Sequence, residues 1–552
     1  MILYGSLTRS QTRRLKGARP SAFSKVLFLF VFLAIGFWTV RAFSQGIPPG
    51  VLEDVEGDLE ILHEDSDQGS RYHYFLKAAG RRLSLEFAGV PPTNLTSGAR
   101  IRVRGARSNN VLALKPGSGG VETVTPAEMN TLGEQRTLVM LVNFRNDTSQ
   151  PYDVSFANEM FFGTTSSFFL ENSYQQTFLS GMVKGWYTID MNRPTNAATC
   201  NASQIASLAD QAAAEDGVLL SDYNRRVYIF PRTGCGWWGL SSVGGNPSQS
   251  WVNGTLDLGV TAHELGHALG LWHSHSLDCG TSAVIGGSCS TNEYGDIVDV
   301  MGASRLAHYN AFQKERLGWL NAGASPSITT VGAEGTYSLE SYEPLGVGPK
   351  ALKILKSTDP STGAKTWYYV ESRKAVGFDA FLAIEPTQNI SSGVLIHIGT
   401  EGNGDSSLLL DMTPATPVYY WWYDPALVVG QSFSDPDSGV TITTGSVSST
   451  GAVVTVSFGV ALSISTDKPS YSRNQSVTIS ALVQSNGAPS PNAPVSFTIK
   501  KSDGAVQTSS STTGSNGIAV YKFRLTKKDP LGIYQATAAS SSAAATTSFT
   551  VR

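Results

Sequence analysis

The sequence predicts a multidomain, mostly β protein with one α+β region, and three observations lead there. The chain has 552 residues, a prior of three to four domains at roughly 150 residues each. Charged residues make up only 15%, while 55 glycines and 25 prolines accompany long Ser/Thr-rich stretches, the profile of strands and turns rather than helical bundles. Strand and helix patterns alternate only in the middle of the chain, which places the α+β region there between all-β flanks. Hydrophobic residues at 41% and aromatics at 10% supply enough burial to exclude disorder over most of the length. The net charge of −3 creates no global field for phosphates, so no nucleic-acid partner is expected.

Residues 1–44 read as a signal peptide. Arg9, Arg13, Arg14, Lys16, Arg19 and Lys25 precede residues 26–40, apolar except for Thr39, and Ala42-Phe43-Ser44 follows as a small-x-small cleavage site. As a helix the apolar run reaches about 22 Å, short of a bilayer core of roughly 30 Å. A secreted, extracellular protein without a stable membrane span is therefore expected; an uncleaved signal would instead tether the same domains to the cell surface.

Residues 45–130 alternate in short runs at 72–76, 83–87, 101–104 and 111–114, the pattern of a small β-barrel-like domain and a candidate propeptide. Pro116-Gly117-Ser118-Gly119-Gly120 reads as a flexible linker. Residues 131–320 combine strands at 137–144 and 226–231 with an Ala-rich helix at 203–215. Residues 321–460 return to β patterning, clearest at 366–371, 393–398 and 453–458. Residues 461–552, with strands at 477–483, 495–499, 518–525 and 534–538, read as an immunoglobulin-like β-sandwich without a cysteine.

The four cysteines, Cys200, Cys235, Cys279 and Cys289, lie close together, and an exported chain meets an oxidising compartment, so two disulfides are expected. Of the three pairings, proximity favours Cys200 with Cys235 and Cys279 with Cys289. No C-x-x-C spacing supports a rival Cys-only zinc site. N-x-[ST] sequons at Asn94, Asn146, Asn201, Asn253, Asn389 and Asn474 matter only in a host that glycosylates.

Four of the eight histidines fall in His263-Glu264-Leu265-Gly266-His267-Ala268-Leu269-Gly270-Leu271-Trp272-His273-Ser274-His275. On a helix, His263 and His267 are one turn apart, so both imidazoles reach one metal ion. Leu258, Ala262, Leu265 and Leu269 form a stripe on the opposite side that buries the helix and leaves the histidines facing a cleft. Gly270 is suited to the left-handed conformation that ends a helix and turns the chain back, which makes His273 a third ligand. Three neutral imidazoles leave one tetrahedral position for water, whose pKa zinc lowers to about 7. Glu264 stands beside the ligands as general base. A chance match to this spacing is on the order of 10⁻⁵. The chemistry indicated is metal-assisted hydrolysis of a carbonyl compound, foremost a peptide bond, with one catalytic Zn2+.

At residues 263–273 the chain resembles the metzincin metallopeptidases, matching H-E-x-x-H-x-x-G-x-x-H at every fixed position. Asp299-Val300-Met301-Gly302 looks like the Met-turn, which in metzincins lays an apolar floor under the metal. Together with residues 310–319 these motifs resemble the gametolysin-like family of secreted peptidases; His263 keeps the standard ligand where some gametolysin relatives carry Gln. The resemblance implies a metzincin-like α+β catalytic domain, an extended polypeptide substrate and cell-wall or matrix glycoproteins as a substrate class. It also implies an edge strand near Trp251-Val252-Asn253-Gly254 that pairs with substrate. Where several metzincins place a tyrosine two residues beyond the Met, this chain has Ala303; Tyr309 and His308 are the candidate substitutes. His275 reads as a bystander.

No cysteine precedes Cys200, which excludes a cysteine switch. A propeptide in residues 45–130 would need another blocking group, such as the carboxylate of Asp54, Glu56 or Asp58; a permanent β domain is the alternative. Asp435-Pro436-Asp437-Ser438-Gly439 and Asp405 near Asp411 lack a full Ca2+ ligand set and read as solvated turns. Residues 419–423 are an aromatic cluster that reads as sheet packing or a sugar-stacking surface. Rival readings of the whole chain are a surface adhesion protein whose β modules carry the main role, and a zinc amidase acting on a non-peptide bond.

Overall fold

The computed structural model describes residues 52–66, 69–92, 94–114, 120–303, 306–384, 387–416, 423–485, 488–541 and 543–552. The expected signal peptide, most of the linker at 116–120 and most of the aromatic run at 419–423 lie outside the described residues. The protein is mostly β, with 47% strand and 14% helix.

The first stretch forms a closed ring. β1 (Leu52–Ser66), β2 (Gly69–Ala78), β3 (Arg81–Phe87), β4 (Arg100–Ser108) and β5 (Val111–Leu114) pair in the order β1-β2-β3-β5-β4, and β4 returns to β1. Alternation drives this: Leu59, Ile61, Leu76, Leu83, Leu85, Ile101, Val103 and Leu112 point inward to one apolar core. β6 (Val121–Thr125) adds to β4. The sequence reading lacks β1, because Glu53, Asp54, Glu56, Gly57 and Asp58 disguise its first half. Those charges face outward and pair with arginines of β4.

The same sheet then continues into the central region. β7 (Gly133–Phe144), β8 (Thr177–Ile189), β9 (Arg225–Phe230) and β11 (Ser248–Asn253) run parallel, and β10 (Gly239–Ser242) lies antiparallel to β11. Leu138 to Val142 are all buried, as expected of a strand covered on both faces. α1 (Val154–Asn158), α2 (Ser166–Asn172) and, after α3 (Ala202–Glu215), α4 (Leu258–Leu269) supply that cover: α3 packs one face and the others the opposite one. The disulfide Cys200–Cys235 ties the approach to α3 to the segment before β10, and Cys279–Cys289 closes a second loop, so both favoured pairings form.

Two sequence expectations need correction. Residues 131–320 do not stand apart as an α+β domain, because β1 pairs with β10 through Leu62↔Ser242, His63↔Ser241, Glu64↔Leu240 and Asp65↔Gly239 and extends the sheet to eleven strands. The expected boundary at residue 320 is crossed as well. β12 (Ser274–Asp278), directly after the histidine motif, pairs in parallel with strand Asn403–Leu410, and β13 (Ser290–Asn292) adds to β12. Strands from 328 to 428 complete that sheet, which packs on a four-stranded sheet formed between 335 and 458 around Ile354, Val370, Ile396, Ile442 and Val454. Asp435, expected in a solvated turn, is buried and pairs with Lys356 at 2.7 Å.

The last region packs a sheet of Val460–Thr466, Ser476–Ser485 and Ile518–Arg524 on one containing Pro494–Lys500 and Gly532–Ser540. Its core, centred on Phe497, Tyr534 and Val477, draws only on residues from 460 onward. Among the described residues no helix is long and apolar enough to cross a membrane. Phe497→Ala should cost this module about 3–5 kcal/mol. Calorimetry of the full chain should show one transition moving down while the others stay in place.

Candidate metal centre

α4 opens at Asp257, whose carboxylate accepts from the Val260 amide at 2.9 Å, and closes at Gly270 in the left-handed conformation, φ 106°. Leu258, Ala262, Leu265 and Leu269 enter the core of the central sheet as their spacing requires. Opposite them, His263 and His267 converge with His273, which follows the turn. The Nε2 of His263 lies 3.1 Å from that of His267 and 3.2 Å from that of His273.

Each ring is aimed by its other nitrogen. Nδ1 of His263 donates to the Val300 carbonyl at 2.7 Å and Nδ1 of His267 to the Leu271 carbonyl at 2.9 Å, while Nδ1 of His273 donates to the Glu293 carboxylate. A carbonyl only accepts, so the proton of the neutral ring sits on Nδ1 and Nε2 offers its lone pair. Burial, with His63 beside it, lowers the pKa of His267 to about 4, which keeps the ring neutral at ordinary pH. Burial opposes ionisation of Glu293, but its hydrogen bond to His273 brings its pKa down to about 2.

Lone pair facing lone pair at such distances is repulsive, and a cation between them relieves it. Ligand nitrogens about 2.0–2.1 Å from a tetrahedral ion stand about 3.3 Å apart, close to the separations observed. The residues present therefore fit a metal ion.

The turn that carries Met301 lies beneath. Asp299 receives the Met301 amide at 2.8 Å and the Asn310 amide at 2.7 Å, and Ser274 donates its amide to the Met301 carbonyl at 3.0 Å. This carries the Val300 carbonyl to His263 and seats Met301 against α4 at Gly266, where an added Cβ would lie 2.4 Å from Sδ. Glu264 is buried; its Oε2 accepts from the Ser241 hydroxyl at 2.6 Å and its Oε1 has no hydrogen-bond partner. Burial first, then the charge of Asp65, pushes its pKa well up. Gly239 makes room for it, since a Cβ there would lie 1.5 Å from Oε1.

The histidines do not face an open cleft. The end of β1 covers them, and Asp65 enters their midst: Oδ1 is 2.9 Å from Nε2 of His273 and 3.6 Å from that of His263, and Oδ2 is 3.5 Å from that of His267. Burial works against ionisation of Asp65, but His63, His263 and His273 hold its carboxyl well below the usual range. His63, Asp65, His267 and His273 all place a potential ligand atom within 4.8 Å of one another. The His63 ring packs on His267 and His273 at 4.2 and 4.1 Å, and burial lowers its pKa to about 4.

Other expected residues lie elsewhere. Asp54, Glu56 and Asp58 sit on the outer face of the barrel, Asp54 paired with Arg104, Glu56 with Arg100 and Arg102, and Asp58 with Arg100. Tyr309 donates to the Ala262 carbonyl at 2.8 Å inside the core, and His308 bonds Glu171 at 2.8 Å. The phenol at the site is Tyr294, which donates to Asp65 at 2.7 Å and packs on His273 at 4.2 Å. Its φ of 53° is a left-handed conformation uncommon for a tyrosine, in the turn that follows β13. His275 pairs with Asp405 at 3.1 Å. Trp251 to Asn253 lie inside the sheet; the strand beside the histidines is β10.

Residues 156–397 match the model of the gametolysin peptidase M11 family. The central region is similar to gametolysin peptidases. That match spans all three motif histidines, Glu264, Tyr294 and Met301, and supports a peptidase; the barrel with Asp65 lies outside it. Residues 461–551 match the MG2 domain, an immunoglobulin-like module. No curated protein matches the sequence. Among solved structures, the Pseudomonas fluorescens alkylpurine DNA glycosylase AlkC is 16% identical over 17% of this chain and 30% of its own, with a TM-score of 0.14. The D00-D0 domain of intimin is 16% identical over 41% of this chain and 95% of its own, with a TM-score of 0.17. At such scores neither likeness bears on fold or function.

Gly239→Ala in this gametolysin-like region should displace the Glu264 carboxylate. Peptide hydrolysis should fall on the order of a hundredfold or more, with metal content by mass spectrometry unchanged.

Proposed function

We propose that the gametolysin-like region is a metzincin-type zinc endopeptidase, exported from the cell and acting on extended polypeptides such as cell-wall or matrix glycoproteins. The observation that carries this reading is the convergence of the three Nε2 atoms, each ring held by an Nδ1 hydrogen bond, with the buried Glu264 beside them. Both disulfides suit an oxidising compartment.

His263, His267 and His273 hold the zinc, which when bound supplies Lewis-acid polarisation of the scissile carbonyl and the attacking water. Glu264 Oε1 takes the water's proton and returns it to the leaving amine, while the Ser241 hydroxyl keeps Oε2 occupied and fixes the carboxylate's orientation. Tyr294 is the donor toward the developing oxyanion, in the role first expected of Tyr309 or His308. Met301 is a positioning residue, acting through Gly266 and α4.

Alanine at His263, His267 or His273 should abolish stoichiometric zinc binding. Glu264→Gln should retain about one zinc per chain and lose hydrolysis of a peptide library by about 10²–10⁴-fold. Tyr294→Phe should lower kcat by about 10²–10³-fold with KM little changed. A full complement of zinc with undiminished cleavage in Glu264→Gln would sink the assignment.

The second reading is a surface adhesion protein whose β modules carry the main role, among them the C-terminal module with a core of its own. Truncation after residue 460 separates the two, because loss of surface attachment with cleavage intact would make the module an adjunct to the enzyme.

A further inference from the structure

The charge of this chain is unevenly divided. Residues 461–552 hold nine Lys and Arg against three Asp, a formal charge of +6, whereas residues 45–460 hold 25 Lys and Arg against 41 Asp and Glu, a formal charge of −16. The near-neutral total conceals a basic module joined to an acidic body.

Within the module the charges lie at one end. Strands Val460–Thr466, Pro494–Lys500, Ile518–Arg524 and Ala543–Val551 finish where Ser476–Ser485, Val506–Thr512 and Gly532–Ser540 begin, through the pairs Ser476↔Arg524, Lys500↔Val506 and Gly532↔Val551. The Thr550 amide donates to the Pro469 carbonyl at 3.0 Å and joins this end of one sheet to the same end of the other. All nine cations fall at 468–473, 500–501, 522–528 and 552, which are its strand ends and loops; residues 477–499, 504–521 and 530–551 carry no charge. The opposite, uncharged end starts from Gly459, whose amide donates to the Gly439 carbonyl of the preceding region at 2.7 Å. The basic end is therefore the far end of the module.

Its carboxylates brace loops rather than cover the cations. Asp467 accepts the Tyr471 hydroxyl and the Thr478 amide, and Asp503 accepts the Ala505 amide. Among the described residues Lys501 alone of the nine is in an ion pair, with Asp529, and the other eight are exposed. Aliphatic side chains stand out at the same end: Leu531 is 55% and Ile533 68% exposed. The aromatics there, Tyr471, Phe523, Tyr534 and Phe549, pack on the module's core and offer no ring for a sugar or a base to stack on.

We propose that the far end of the C-terminal module binds the surface of an anionic lipid membrane, with Lys527 and Lys528 at the headgroups and Leu531 and Ile533 entering the boundary with the acyl chains. This gives the adhesion role set out above a partner and stands apart from the chemistry of the metal centre. A peripheral contact of this kind needs two signals, and both are present. The cations draw the module to the surface, and salt screens that attraction. The aliphatic side chains add burial that salt does not screen, which a soluble polyanion would leave unused.

The test is cosedimentation of the full chain with vesicles of equimolar phosphatidylglycerol and phosphatidylcholine, against vesicles of phosphatidylcholine alone. Wild type should prefer the anionic vesicles, and raising NaCl from about 0.05 to about 0.5 M should weaken that binding about tenfold or more. Lys527→Gln with Lys528→Gln should weaken binding about tenfold or more at the lower salt. Leu531→Ser with Ile533→Ser should weaken it about tenfold, by the same factor at both salt concentrations. All chains share residues 1–44, so the basic run there contributes equally to each, and circular dichroism checks that the exposed substitutions leave the fold intact. Wild-type affinity in either variant overturns the proposal, as does equal binding to both kinds of vesicle. Retention on immobilised heparin without vesicle binding overturns the membrane as partner in favour of an acidic polysaccharide and leaves the adhesion role standing. Binding to neither overturns both.

Discussion

The centre of this molecule depends on holding unprotonated imidazole nitrogens of His263, His267 and His273 face to face at 3.1–3.2 Å, an arrangement that is unfavourable unless something positive or proton-donating lies among them. Much of the surrounding structure maintains that arrangement. The Val300 and Leu271 carbonyls and the Glu293 carboxylate each take one Nδ1 proton, and each comes from a different loop. Asp299, Ser274 and Asn310 in turn brace the loop that carries Val300.

This explains why the site is not the property of one compact unit. α4 presents two of the histidines, but His273 is placed by β12, which is bonded to a strand more than a hundred residues later in the chain, Asn403–Leu410. Asn310 bridges Asp296 and Ser407 across the same junction. The downstream sheet is therefore a support for the third histidine as well as a neighbouring module, and the barrel closes the remaining side through Asp65. Core packing and site geometry are coupled at Gly266 and Gly239, where a single added methyl group would meet Met301 or Glu264.

The places where sequence reasoning erred share a cause. Asp54, Glu56 and Asp58 were reasonable blocking groups by charge, yet strand alternation turns them outward to arginines, while His63 and Asp65, two residues apart, share the face that meets α4. The spacing of His63 and Asp65 was a readable signal, but only once β1 is known to be a strand. Tyr309 and His308 are near Met301 in sequence and buried in the core in space, whereas Tyr294 arrives on the turn that follows β13. The boundary near residue 320 failed because strand pairing over long separations leaves no mark in local composition.

The sequence by itself determined the parts whose geometry is local: the one-turn spacing of His263 and His267, the glycine that turns the chain toward His273, the disulfide partners closest in sequence, and the alternation that defines the barrel and the C-terminal sandwich. Helical periodicity and a left-handed glycine need only a few neighbouring residues to act. Tertiary structure alone decided that β1 pairs with β10, that Asp65 stands among the histidines and that Glu293 and Tyr294 complete the site. Those contacts join segments separated by up to 229 residues, and their register is chosen by the shape and hydrogen-bonding edges of already folded sheets.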